Sequence, residues 1–314
     1  MKAVRFHEYG GPDVLRYEDV DRPVPGAGQV RVRVAATTFN GVDGNIRAGF
    51  MQEPMPLTLP HIPGLDVAGT IDALGEGAGG LEIGDRVIGF LPFVVDGASA
   101  EYVLAPAESL APAPTGIPLA DAAALPVVGL TAWQALFDHA ELKPGQRILI
   151  SGAGGAVGGY AVQLAKAAGA HVIATGSPRS IGRVTAAGAD EVIDHTAAEV
   201  TTAVTDPVDV LLNLAPIDPA RFTALAGLVR DGGVVVSSTV WMPAPADQER
   251  GVRGIDMYVR SDAEQLSELV ARVDRGELTV DVAERVPLAD LPSVHARAAA
   301  GTLSGKVIVL PTTA

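Results

Sequence analysis

A run of glycines between two apolar stretches is the first place where residue type and spacing suggest chemistry. The apolar residues of 147–151 predict a buried strand, and those from Val157 onward recur at the spacing of a helix. A glycine turn between a strand and a helix lets the main chain approach a phosphate, which the N–H groups at the helix N-terminus can bind. The spacing here is Gly152-x-x-Gly155-x-x-Gly158 rather than G-x-G-x-x-G. Close packing of the strand against the helix is therefore the alternative interpretation of the glycines.

The residues about 20 positions after this turn predict which dinucleotide it binds. NAD-specific sites carry an acid there that bonds the ribose 2′-hydroxyl, whereas no acid occurs between His171 and Ala189. Ser177 and Arg179 stand at this place, and a hydroxyl and a guanidinium suit a 2′-phosphate. The prediction is NADPH rather than NADH. The alternative is that Arg179 is only a solvated residue at a helix start.

Composition argues against several other kinds of chemistry. The chain of 314 residues has no cysteine, which excludes disulfides, thiolate catalysis and Cys-based zinc sites. Its six histidines show no H-x-x-H or H-E-x-x-H spacing. A net charge of −14 argues against nucleic-acid partners and anionic membranes. Neither a signal-peptide core nor a membrane-spanning apolar run is evident, so a cytoplasmic location is expected.

Hydropathy patterns divide the chain into two kinds of structure. Residues 1–112 alternate apolar and polar positions between Gly- and Pro-rich turns, which predicts an all-β domain, a small barrel or open sandwich. From 118 to 238 strands and helices alternate, which predicts a parallel sheet covered by helices on both faces. Ser261 and Glu264 form a possible capping box for a following amphipathic helix. A final strand over 306–310 is expected to join the β domain, so that the parallel-sheet domain is inserted into it.

Eight short stretches outside the glycine turn carry a family resemblance. They are 1–4 (MKAV), 39–43 (FNGVD), 63–69 (PGLDVAG), 84–87 (GDRV), 123–126 (AALP), 129–133 (GLTAW), 188–194 (GADEVID) and 305–307 (GKV). Together with the turn they resemble the zinc-independent quinone oxidoreductase branch of the medium-chain dehydrogenase/reductase superfamily, over essentially the whole length. The resemblance implies an α/β protein with a GroES-like β-barrel catalytic domain, residues 1–118 and 260–314. It also implies an inserted Rossmann domain with a doubly wound parallel sheet, residues 119–259.

The same resemblance implies catalysis without a metal. The zinc-dependent branch places a Cys where Asn40 stands and a His-Glu pair where Leu65-Asp66 stands, so the usual ligand set is missing. Asn40 is then the first candidate for a neutral hydrogen-bond donor to the substrate carbonyl. Thr131 resembles a residue that lies near the nicotinamide carboxamide. Asp43 is a further catalytic candidate, with capping of the turn that begins at Gly41 as the alternative.

The resemblance also implies the remaining site residues. The cofactor-binding set combines the turn, the two residues for the 2′-phosphate and three later residues: Gly152, Ala153, Gly155, Ala156, Val157, Gly158, Ser177, Arg179, Tyr258, Val259 and Lys306. The substrate-facing set is Asn45, Trp241 and Met242. Bacterial quinone reductases of this family often have a Tyr where Asn45 stands, so that phenol donor is missing here.

These observations predict an NADPH-dependent oxidoreductase that transfers hydride to a quinone or an α,β-unsaturated carbonyl without a metal. One alternative is an enoyl-thioester reductase of a tailoring pathway, which the overall acidity of the chain disfavours. Another is a non-catalytic NADPH-binding protein that acts as a sensor or binds a partner. The resemblance further implies a homodimer.

Overall fold

The chain divides into two compact units in a computed structural model, which describes residues 1–239 and 241–311. Unit 1 comprises Met1–Val127 together with Ser261–Ala314, and unit 2 comprises Val128–Arg260. The sequence prediction placed the two junctions at 118/119 and at 259/260.

The described residues form strands and helices in the following order along the chain. The strands are β1 (Lys2–Phe6), β2 (Leu15–Asp19), β3 (Gln29–Thr38), β4 (Asp66–Leu74), β5 (Arg86–Phe90), β6 (Tyr102–Pro106), β7 (Leu110–Pro112), β8 (Arg147–Ser151), β9 (His171–Gly176), β10 (Glu191–Asp194), β11 (Val208–Asn213), β12 (Val229–Ser237), β13 (Arg253–Asp256), β14 (Glu284–Pro287) and β15 (Val307–Leu310). The helices are α1 (Gly41–Ala48), α2 (Pro126–Trp133), α3 (Ala156–Ala167), α4 (Ile181–Ala186), α5 (Val200–Ala203), α6 (Pro219–Ala226), α7 (Ala263–Asp274) and α8 (Leu291–Ala299). A π-helix, Gln134–His139, directly follows α2.

Unit 1 is built on a seven-stranded sheet. Six strands follow the order β14-β15-β3-β4-β5-β7, and β6 pairs with β3 off this path. Alternate residues of β3 are buried, and Val30, Val32 and Val34 enter the core, as the alternation in sequence predicts. The C-terminal strand β15 lies antiparallel to β3, with Ile308 opposite Thr38. The prediction that the last strand joins the N-terminal β domain is therefore confirmed.

Unit 2 is a six-stranded parallel sheet with the order β10-β9-β8-β11-β12-β13. The order reverses between β8 and β11, which is the switch point of a doubly wound Rossmann sheet. Its strands are almost continuously apolar because helices cover the sheet, and a core cluster includes Leu149, Leu211, Val235 and Phe222. The predicted α/β architecture, a GroES-like β domain with an inserted Rossmann sheet, is confirmed.

Three local predictions differ from the structure. Residues 1–112 are not all β, because Asn40 and Asp43 form a capping box that starts α1, and Gly49 ends it in the left-handed region. Helix α7 is capped by Asp262, which accepts from the N–H of Gln265, whereas the hydroxyl of Ser261 donates to the Phe90 carbonyl. Strand β13 was missed because its four residues carry no run of apolar side chains.

Across residues 1–239 and 241–311, no helix has both the length and the hydropathy needed to cross a bilayer.

Candidate functional site

The glycine turn of unit 2 joins β8 to α3 at the carboxyl edge of the parallel sheet. Gly155 is the N-cap of α3, so the main-chain N–H groups of Ala156, Val157 and Gly158 begin the helix with no acceptor inside it. Together with the positive end of the helix dipole, these groups form a site suited to a phosphate. Ala153, within the turn, is 1% exposed.

Gly152, Gly154 and Gly158 have steric reasons to be glycine, and a Cβ on Gly154 would lie 2.6 Å from the Cβ of Ser180. Gly152 has a φ of 84°, in the left-handed region. A Cβ on Gly158 would lie 2.4 Å from both the Cα and the carbonyl oxygen of Ala153, which are main-chain atoms. At Gly155 the closest atom to an added Cβ would be the Gly152 carbonyl oxygen, 3.4 Å away, so only a bound ligand would require glycine there. Packing thus explains Gly158, and a phosphate role for Gly155 stays a prediction.

The end of β9 presents the residues expected to face a 2′-phosphate. Ser177 follows the strand directly, and Arg179 is exposed just before α4. The Ser177 N–H donates to the Ser180 hydroxyl at 3.0 Å, which fixes a tight turn there. The acid opposite Gly176 in the β9–β10 register is Asp194, whose carboxylate accepts from the N–H and hydroxyl of Thr196. No acidic side chain therefore ends β9 itself.

One arginine at this place was missed by the sequence prediction. Arg183, on α4, donates from Nη2 to the carbonyl of Gly154 at 3.2 Å, so its guanidinium lies beside the glycine turn. Its signal in the sequence was its position four residues after Arg179, one helical turn further on.

The other half of the same edge carries the loops after β11 and β12. Asn213, at the end of β11, is fully buried, and its Nδ2 donates to the Ala215 carbonyl at 3.0 Å and to the Thr239 hydroxyl at 3.3 Å. It thereby ties the two loops together. Sequence reasoning missed Asn213, although an amide that ends an apolar strand is a usable signal. Tyr258 and Val259 follow β13, and Tyr258 is 67% exposed.

The predicted substrate-facing pair Trp241 and Met242 separates in the structure. Trp241 is 63% exposed and has a φ of 63°. Met242 packs against the hydrophobic core of unit 2, and its sulfur accepts from the Asn213 amide at 3.7 Å. Met242 is half-buried in this loop, and a substrate role for it stays a prediction. The substrate role of Trp241 stays a prediction. Thr131 is buried within α2.

A buried polar cluster lies at the end of β3 in unit 1. Asp66 is fully buried and accepts from the Thr38 hydroxyl, from Asn40 Nδ2 at 2.9 Å and from the Val127 N–H at 2.7 Å. Lys306, 3% exposed, donates to Asn40 Oδ1 at 2.5 Å and to Asp66 Oδ2 at 3.1 Å. The pairing of Ile308 with Thr38 explains the contact, because two residues further along this register Lys306 faces Asn40.

This cluster contains two residues for which the sequence predicts roles at the active site, Asn40 and Lys306. The Asn40 amide donates to Asp66 and to the Thr38 hydroxyl and accepts from Lys306, so its hydrogen-bonding capacity is used within unit 1. Asn40 therefore takes part in holding this cluster, and its role as a donor to a substrate stays a prediction. Lys306 is placed as the counter-ion of Asp66, and a role for Lys306 toward the cofactor stays a prediction. Sequence reasoning missed Asp66 itself, the fully buried acid that begins β4.

Asp43 caps the first turn of α1. Its carboxylate accepts from the N–H of Asn40 at 2.7 Å and from that of Gly64 at 3.3 Å. The pKa of Asp43 is raised to about 7, mainly by burial and also by the carboxylate of Asp66, while these N–H groups and Lys306 act in the opposite direction. The capping alternative describes what this side chain does in the structure. Asn45 is half-buried on the same helix.

Asp43 should give the protein a recognisable pH dependence. Its pKa of about 7 in the folded chain lies above the ordinary value of 3.8, so its ionisation between about pH 4 and pH 7 opposes folding. Relative to an Asp43→Asn variant, we expect the wild-type free energy of unfolding to fall by up to about 4 kcal/mol over this range. Urea denaturation of both proteins at several pH values measures the difference.

The control for this pH dependence is Asp19→Asn. The hydrogen bond from Lys2 lowers the pKa of Asp19. The free energy of unfolding of the wild type relative to Asp19→Asn should therefore rise with pH, whereas relative to Asp43→Asn it should fall. If the free energies of unfolding of the wild type and of Asp43→Asn differ by the same amount at every pH, the raised pKa of Asp43 is contradicted.

Comparison with known proteins covers the whole chain. An alcohol dehydrogenase GroES-like domain model matches residues 26–115, and a zinc-binding dehydrogenase model matches residues 187–309. The chain is 34% identical to a chloroplast envelope quinone oxidoreductase homolog of Arabidopsis thaliana, over 99% of this chain and 98% of that protein. A solved quinone oxidoreductase of Coxiella burnetii superposes with a TM-score of 0.90 at 27% identity, covering 99% of both chains. An Escherichia coli quinone oxidoreductase complexed with NADPH superposes with a TM-score of 0.88 at 26% identity, covering 99% of this chain and 100% of that chain.

One of these family descriptions names zinc, but the residues of this chain that the structure describes do not form a zinc site. Within residues 1–239 and 241–311, no group of three or more His, Cys, Asp or Glu side chains could hold a metal ion. Asn40 Oδ1 and Asp66 Oδ2 both accept from the ammonium of Lys306. A zinc site needs three or four N, O or S ligands around one point, so these residues do not fit zinc.

Proposed function

The chain belongs to the zinc-independent quinone oxidoreductase branch of the medium-chain dehydrogenase/reductase superfamily, and from this premise we propose that it is an NADPH-dependent reductase of quinones or α,β-unsaturated carbonyls. The family is nicotinamide-dependent, and oxidoreductase activity on a small molecule follows from membership. The preference for NADPH, the substrate class and catalysis without a metal are our proposal for this chain.

The single observation that carries the proposal is the carboxyl edge of the unit 2 sheet. It combines a glycine turn at a helix N-terminus with a β9 end that has Ser177 and Arg179 in place of an acid. A carboxylate at that position would repel a 2′-phosphate, whereas a hydroxyl and a guanidinium can bond it. Arg183 beside the turn adds a second positive charge. These features favour NADPH over NADH.

In the proposed mechanism a bound nicotinamide would supply the hydride. The chain binds and orients the cofactor and excludes water. The turn from Gly152 to Gly158 holds the pyrophosphate through main-chain N–H groups. Thr131 and the main chain at Tyr258 and Val259 orient the nicotinamide end. The substrate oxygen that gains negative charge needs a neutral hydrogen-bond donor, for which Asn40 is the first candidate and Asn45 the second.

Arg179→Ala tests the choice of cofactor. Because a hydrogen bond to a charged group contributes about 1.5–3 kcal/mol, we expect NADPH to bind roughly 10- to 100-fold more weakly to the variant, with NADH binding unchanged. Fluorescence titration of both cofactors measures this. Arg221→Ala, an exposed arginine on α6 paired with Glu199, is the matched control and should bind both cofactors like the wild type. Tighter binding of NADH than of NADPH by the wild type would contradict the assignment.

A panel of quinones, enones and enoyl thioesters tests the substrate class. NADPH oxidation with a quinone or an enone supports the proposal. Turnover confined to enoyl thioesters would favour the tailoring-reductase alternative, and NADPH binding without turnover of any substrate would favour a sensor. A homodimer and a cytoplasmic location also stay predictions, which light scattering and cell fractionation can test.

A further inference from the structure

The segment after β13 lies at the edge of the unit 2 sheet that we assign to the cofactor. Strand β13 runs parallel to β12, with Asp256 opposite Ser237, and the Met257 N–H then donates to the Ser237 carbonyl at 2.9 Å. Residues 257–260 therefore leave the carboxyl edge of the sheet. In a doubly wound sheet the dinucleotide crosses this edge at the switch point, its adenosine half on β8–β10 and its nicotinamide half on β11–β13. Residues 257–260 belong to the nicotinamide half.

One buried side chain fixes the end of this segment. The Arg260 N–H donates to Gln134 Oε1 at 3.0 Å, and Gln134 Nε2 donates to the Arg260 carbonyl at 2.9 Å. The Gln134 carboxamide thus bonds both the N–H and the carbonyl of Arg260, as a neighbouring strand of a sheet would. The Arg260 guanidinium also donates to the Asp138 carboxylate at 3.0 Å. Position and orientation of the main chain at Arg260 are both determined by these bonds.

The local structure at Gln134 is unusual in a way that fits this role. Gln134 is 1% exposed within the apolar run that starts at Val127, and it opens the π-helix after α2. A buried amide costs free energy unless it is hydrogen-bonded, so packing alone would favour an apolar residue here. π-Helical turns are rare and occur frequently at functional sites. Both features point to the bonds with Arg260 as the reason for a glutamine.

We propose that Gln134 is a positioning residue for the nicotinamide end of bound NADPH, acting through the main chain of Arg260 on the segment that contains Tyr258 and Val259. The inference rests on the proposed function. It assigns Gln134 no contact with the adenosine half, which the turn and the end of β9 hold. The two halves of the cofactor should therefore respond differently to a change at Gln134.

Gln134→Met tests this because it keeps the length of the side chain and removes both hydrogen bonds to Arg260. We expect kcat for NADPH oxidation to fall roughly 10- to 100-fold, since small displacements of a reacting group cost this much. The emission maximum of the bound dihydronicotinamide should shift, because its surroundings change. Adenosine 2′,5′-bisphosphate, which has the adenosine half and no nicotinamide, should bind within about twofold of the wild type.

Gln163→Met is the matched control, because this glutamine of unit 2 lies on α3 and donates to the carbonyl of Gly159 on the same helix. It should behave like the wild type in all three assays. Gln134→Glu, which keeps the acceptor for the Arg260 N–H, repeats the test if the methionine variant does not fold. Equal weakening of NADPH and of the bisphosphate, or unchanged kcat and emission, would overturn the inference. Failure of the wild type itself to bind NADPH would overturn the proposed function and this inference with it.

Discussion

Lys306→Met is expected to lower the free energy of unfolding by about 3–5 kcal/mol, because it leaves the buried carboxylate of Asp66 without its counter-ion. Both partners are almost inaccessible to water, with side-chain exposures of 2% for Lys306 and 0% for Asp66. The methionine fills most of the volume of the lysine, so the lost free energy of unfolding is due to the removed charge rather than to a cavity. Urea denaturation followed by circular dichroism measures it.

The control for this charge effect is Lys166→Met. Lys166 pairs with Asp190 at 2.7 Å, but both side chains are about one-third exposed, so the expected loss is only about 0–1 kcal/mol. The double variant Asp66→Asn/Lys306→Met should recover part of the loss, because it removes both charges. A Lys306→Met protein as stable as Lys166→Met would contradict the buried pair.

Gly158→Ala is expected to weaken NADPH binding by roughly 100-fold, because the added methyl group displaces the phosphate-binding turn. Its Cβ would lie 2.4 to 2.5 Å from three main-chain atoms of Ala153, and none of them can rotate away as a side chain does. Either the start of α3 or the turn must therefore move. NADPH titration by fluorescence, together with the thermal unfolding midpoint, separates lost binding from lost folding.

The neighbouring glycine is the matched control for Gly158. A Cβ on Gly159 would meet no atom within 4 Å, so Gly159→Ala should bind NADPH like the wild type. It should also be more stable by up to about 1 kcal/mol, because alanine is the better helix former. Equal affinity of NADPH for the Gly158→Ala and Gly159→Ala proteins would show that the turn is not the phosphate site.

The parts of the fold that follow from local pattern were predictable from the sequence. Alternating strands and helices predict the parallel sheet of unit 2, and the glycines after 147–151 predict the turn at its edge. The last strand was also placed correctly, because a lone apolar strand needs a sheet to join. Strand β13 was not predicted, because its four residues, Arg253–Asp256, are mostly exposed and include one glycine.

The parts of the site that depend on pairing register were not predictable. Lys306 lies 266 residues from Asn40 and 240 residues from Asp66 in the sequence. They meet because β15 pairs with β3 and β3 with β4, and a shift of one residue would turn each side chain to the opposite face. Gln134 was overlooked for a similar reason, since only the return of the chain at Arg260 gives its amide a partner.

The most direct test of the central proposal is the steady-state oxidation of NADPH by the wild-type protein, with a quinone or an enone as acceptor and an excess of metal chelator present. Reduction without a metal predicts the same rate with and without the chelator, and a much lower rate when NADH replaces NADPH. Loss of turnover on chelation, with restoration by added zinc, would contradict the proposal, as would a preference for NADH.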